Sequence, residues 1–156
     1  MALAATLLAG CFTPRAQVAA RNWRPLGPDG LSLGRLLAVS PGVRNIIWET
    51  FAGLDGQTVA RASVEYDPVR ASADCPGREP GMALAARAFL LLDLVVTPAG
   101  RVDFLAAKAQ AYNVSGAYEE YGLDAGVIAD LVARVRPIPC DDLRLPGYLS
   151  HGGGGG

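Results

Sequence analysis

Hydrophobic and polar positions alternate along this chain in two registers, one helical and one extended. Leu33, Leu36 and Leu37 recur at helical spacing, with Ser32 as a candidate N-cap and Pro41-Gly42 as a stop, so the spacing predicts a short helix. "VRNIIWETF" (Val43 to Phe51) and "QTVARASVEY" (Gln57 to Tyr66) are rich in β-branched and aromatic residues and flank "AGLDG", which predicts a hairpin. In its first strand Val43, Ile47 and Phe51 share one face and Ile46 and Trp48 the other. "AFLLLDLVV" (Ala88 to Val96), "TPAGR" and "VDFLAAKAQAYNV" (Val102 to Val114) repeat the grammar as a longer hairpin. Its first strand is apolar enough to be central and covered on both faces. Val127, Ile128, Leu131, Val132 and Val135 then mark one face of a second helix, with Asp124 at its start, Arg134 and Arg136 at its end and Pro137 beyond. The expected fold is α+β: a four-stranded antiparallel sheet of two hairpins with two helices packed on one face.

Composition narrows the class. Apolar residues make up 51% of the chain, charged residues 19%, and the formal net charge is −1. That is a globular composition with no electrostatic footprint for nucleic acid. No apolar run approaches the roughly 18 residues of a membrane span. With 156 residues the chain suits one domain, expected over residues 29–149. Prolines at both ends of "FTPRAQVAARNWRPLGP" suggest a tether over residues 11–28, and the glycines of 150–156 a flexible tail.

Candidate chemistry is sparse. The only histidine, His151, stands beside the glycine tail, where no rigid neighbours are expected to hold it as a base or ligand. No nucleotide-binding or serine-nucleophile motif is present. The acidic pairs Glu119-Glu120 and Asp141-Asp142 lack a calcium-loop ligand series and read as solubilising loop charges. No catalytic residue, metal or cofactor is therefore expected, and the chain reads as a non-enzyme. Asp93 interrupts an otherwise apolar strand and needs a cation on a neighbouring strand, Arg61 or Arg101. Tyr112, Tyr118 and Tyr121 gather with Glu119 and Glu120 around "YNVSGAYEEYG", read as a loop, and form the candidate binding surface. Ordinary packing of the rings is the competing account.

The opening "MALAATLLAGCF" carries no charged side chain. Its apolar run followed by "LLAGC" (Leu7 to Cys11) resembles the lipobox of bacterial lipoproteins, with a signal peptide over residues 1–10. The resemblance implies cleavage before Cys11, lipidation of its thiol, and residence on the periplasmic side of the cell envelope. The family's signals normally open with Lys or Arg, which here would have to lie upstream of Met1. A short apolar element packed on the core is the other reading of this stretch. Export would leave Cys75 and Cys140 as an even pair in an oxidising compartment, where a disulfide is expected in preference to two free thiols. The body is similar in a general way to small periplasmic domains with a helix followed by an antiparallel sheet. These readings together suggest a lipid-anchored protein that binds an envelope protein or supports an assembly. A soluble periplasmic ligand-binding or inhibitor-like module is the alternative.

Overall fold

A computed structural model of the chain describes residues 14–76, 82–135 and 137–146. The opening segment with Cys11, the tail with His151, and Arg136 lie outside the described residues. The elements run α1 (Arg15–Asn22), α2 (Leu33–Ala38), β1 (Val43–Ala52), β2 (Thr58–Tyr66), α3 (Pro68–Ala71), β3 (Met82–Leu84), β4 (Arg87–Val96), β5 (Val102–Tyr112), β6 (Tyr118–Leu123), α4 (Gly126–Val132), a 3-10 turn (Asp141–Leu143) and β7 (Arg144–Pro146). The fold is α+β, but the sheet has five strands in the order β1-β2-β4-β5-β6, every neighbour antiparallel. A separate two-stranded ribbon pairs β3 with β7. Among the described residues four helices stand where two were expected.

Alternation explains the core. Ala60, Ala62, Val64 and Tyr66 of β2 and Ala88, Leu90, Leu92 and Leu94 of β4 point to one face and are fully buried. They form one cluster with Ala20 of α1, Leu33, Leu36 and Leu37 of α2, and Val127 and Leu131 of α4. Ile46 and Trp48 of β1 and Tyr121 and Leu123 of β6 pack against its margins. Ser40 and Tyr66 satisfy each other's hydroxyls within it, at 2.9 Å.

Several expectations are corrected. Within residues 11–28, Arg15–Asn22 is a helix rather than a tether, with Ala16, Ala19, Ala20 and Trp23 turned to the core. Small alanines at i, i+3 and i+4 allow close approach to the sheet while giving a faint hydropathy signal. "YEEYGL" is strand β6 rather than a loop, with Glu119, Tyr121 and Leu123 alternating inward. A register shift between Val43 and Asn45 turns Val43 to the core, away from the face of Ile47 and Phe51. The last helix stops at Val132 and leaves Val135 exposed. Arg134 takes a left-handed φ of 56° there, and the Val135 amide donates back to the Asp130 carbonyl.

The Cys75–Cys140 disulfide is present and joins positions 65 residues apart, with Cα atoms separated by 5.6 Å. It fastens the loop after α3 to the turn before β7. Arg144, buried on the same seam, donates to the Pro76 carbonyl.

Candidate functional site: the open face of the sheet

The helices cover one face of the sheet, and among the described residues none of the side chains on the other face joins the core. That open face is built by the alternate positions of all five strands. Ile47, Glu49 and Phe51 come from β1, Val59, Arg61 and Glu65 from β2, and Phe89, Leu91, Asp93 and Val95 from β4. Lys108, Gln110 and Tyr112 of β5 and Tyr118 and Glu120 of β6 complete it. The β4 residues here are half-buried by their neighbours rather than covered by a second layer, contrary to expectation for so apolar a strand. Long flanking side chains provide that cover.

Three linked groups occupy the face. At its centre Arg61 and Asp93 sit directly opposite in the β2–β4 register and meet through two bonds, Nε to Oδ1 and Nη2 to Oδ2, each 2.7 Å. Of the two cations expected for Asp93, Arg61 is the partner, while Arg101 pairs with Asp103 at 3.0 Å. The Arg61 guanidinium also lies 5.2 Å from the centre of the Phe51 ring. Its pKa is raised, first by the Asp93 hydrogen bond.

Toward one end, Arg87 donates to Glu65 at 3.0 Å and lies 4.8 Å from the centre of the Phe89 ring. Phe89 meets Tyr112 edge-on at 5.4 Å, and Tyr112 stacks on Tyr118 at 4.8 Å. Beside the rings, Glu120 accepts from Lys108 at 2.6 Å and from Gln110 at 2.9 Å. The Tyr112 hydroxyl donates to Gln110 at 3.1 Å. The hydrogen bond from Lys108, then that from Gln110, holds the Glu120 carboxyl below the usual range. Burial, followed by the neighbouring Tyr118, pushes the Tyr112 phenol up.

The five residues expected to form one binding patch are therefore divided. Tyr112, Tyr118 and Glu120 stand together on the open face. Tyr121 and Glu119 point to the opposite face, where the Tyr121 hydroxyl donates to Glu119 at 2.6 Å. Strand parity separates them, and it becomes visible in the sequence only once residues 118–123 are read as a strand. Reading the patch as a loop missed Arg87, Phe89 and Gln110, which come from other strands. The arginine-x-aromatic spacing of Arg87 and Phe89 was a usable signal, since i and i+2 share a face.

Other places offer less. Asp141 and Asp142 lie in the 3-10 turn rather than a loop, and burial, then Asp141, raises the Asp142 carboxyl. Asp142 joins Asp124 and Asp130 around a depression of about 260 Å³. Among the described residues, no group of three or more His, Cys, Asp or Glu is placed to hold a metal ion. A second depression of about 280 Å³ lies between the start of α1 and the turns at Gly56 and Gly100. Both are small beside the roughly 300–1,000 Å³ of ordinary ligand sites. Among the described residues no helix is long and apolar enough to cross a membrane. No family model, curated protein or solved structure matches the chain.

Proposed function

We propose that this chain is a non-enzymatic, lipid-anchored protein of the bacterial cell envelope, acylated at Cys11, whose domain binds another envelope protein through the open sheet face. The observation that supports binding is that face itself. It combines half-exposed aromatic rings with arginines held in place by carboxylates, and no described element lies over it. Rigid rings beside ordered charge suit a protein surface, because little side-chain entropy is lost on contact. The disulfide is consistent with an oxidising compartment, and the "LLAGC" stretch with lipidation.

Two measurements test this reading. The mass of the mature protein from its native host should show cleavage before Cys11 and added acyl chains, and Cys11→Ser should abolish both. A photoreactive side chain at position 118 should give one discrete crosslinked product in cells, whereas the same probe at Val69, exposed on α3, should give none. Tyr118→Ala should remove that product when the probe is moved to position 112, with the melting temperature within a few degrees of wild type. Diffuse or equal labelling at 118 and 69 would sink the assignment of this face.

A further inference from the structure

The first two helices and the loop between them carry a charge pattern unlike the rest of the chain. Residues 1–39 hold four arginines, Arg15, Arg21, Arg24 and Arg35, and one acid, Asp29, for a net charge of +3. Residues 40–156 hold ten cations and fourteen acids, a net charge of −4, which together give the −1 of the whole. The ion pairs of the described residues all fall in the second part, on Arg44, Arg61, Arg87, Arg101 and Lys108. None of the four early arginines meets a carboxylate among the described residues. Arg24 donates instead to the carbonyls of Pro28 and Gly30.

Packing fixes which way this segment faces. Ala16, Ala19, Ala20, Trp23 and the α2 leucines are turned to the core, and the arginines are left outside. Between them Val18, Leu26 and Leu31 are exposed by 43%, 65% and 42%. Arg21 and Arg35, from different helices, line one depression of about 340 Å³ with Asn22 and Ser32. The Ser32 hydroxyl, at the N-cap position of α2, makes no capping bond there. Unpaired arginines interleaved with exposed aliphatic residues are the surface chemistry of proteins that lie on anionic bilayers.

We infer that the outward surface of α1, α2 and their loop rests on an anionic phospholipid bilayer, with Arg21 and Arg35 flanking a headgroup phosphate and Val18, Leu26 and Leu31 at the acyl boundary. The inference takes its direction from the proposed lipidation of Cys11. Cys11 precedes Arg15 by four residues, a reach of at most about 14 Å, so an anchor there keeps α1 beside the headgroups. Because α1 and α2 pack on the covered face of the sheet, this orientation turns the open face away from the membrane, toward a partner.

The test uses the full chain carrying Cys11→Ser, so that no acyl group contributes. Vesicles are phosphatidylcholine alone, or phosphatidylcholine and phosphatidylglycerol in equal parts. Co-sedimentation with the anionic vesicles only, weakening as salt is raised, is expected. Arg21→Gln with Arg35→Gln should weaken it about 25-fold, at roughly fivefold per arginine, and the corresponding lysine pair should retain it. A second arm couples wild-type Cys11 to a maleimide lipid, so that a weak contact is still read. Amide exchange over residues 18–35 should then slow on anionic vesicles and not on neutral ones. Equal behaviour on both vesicle types, or a Gln pair that binds like wild type, overturns the inference. So does inorganic phosphate that binds the protein and displaces it from vesicles at constant ionic strength, which would make free anion the ligand. Acylated Cys11 without anionic preference defeats this inference alone, whereas anionic preference without acylation supports it and defeats the anchor.

Discussion

Asp93 stands in the middle strand of the sheet, on the side no described element covers, and its carboxylate is only 16% exposed. A half-desolvated charge in that position needs both of its oxygens engaged, and the two Arg61 bonds engage them. Removing either partner leaves the other short of hydrogen bonds in a poorly solvated place. Asp93→Ala and Arg61→Ala should each cost about 2 kcal/mol in urea unfolding. The double mutant should cost much less than their sum, since ion pairs of this kind often contribute little beyond their own desolvation. Strict additivity would show that the two residues are not energetically coupled. Glu120 belongs to the same scale but responds to pH. Its carboxyl is held below the usual range by Lys108 and Gln110, so its contribution is present above its unfolded pKa, roughly 4.3, and is lost as pH falls through the lower folded value. The stability difference between wild type and Glu120→Gln should therefore shrink on acidification through that window. A difference that stays constant down to pH ~2 would refute the linkage.

Among the elements, the loops around Cys75 and Cys140 and the β3–β7 ribbon form the part least supported by the sheet. The ribbon has only three residues on each strand, too short to be stable alone. The disulfide and the buried Arg144 hold it against the domain. Closing 65 residues restricts the unfolded chain by up to about 4 kcal/mol in the chain-entropy model. Reduction should lower unfolding stability by roughly 2–4 kcal/mol and speed amide exchange at Ala83 and Leu84 before it affects β2 or β4. Uniform acceleration across the sheet would mean that the ribbon and the sheet open as one unit. The pairing of these cysteines was legible from their number and the expected compartment. The ribbon was not, because three-residue strands carry no periodicity.

At the scale of the whole molecule, the division between sequence and tertiary structure follows from what each kind of information can specify. The sequence by itself determined where β1, β2, β4 and β5 run, since runs of nine to eleven β-branched, aromatic or aliphatic-rich residues bounded by turn residues are a strong local signal. It also determined that α2 and α4 exist, that Asp93 needs an arginine, and that Cys75 and Cys140 are suited to one another. It did not reveal α1, whose buried face is mostly alanine, or β6, whose residues are mostly tyrosine and glutamate. The eight residues of α1 favour a helix but are too few to hold one alone, and β6 mixes residues that favour and disfavour strands, so contact with the sheet fixes both. Nor did it reveal which residues meet across strands. Arg87 reaches Glu65, and Tyr112 lies between Phe89 and Tyr118, only because the register β2-β4-β5-β6 places four distant stretches side by side. A one-residue slip would turn every one of those side chains to the other face. Local sequence specifies a strand's two faces, whereas only long-range packing decides which face is buried and what it stands beside.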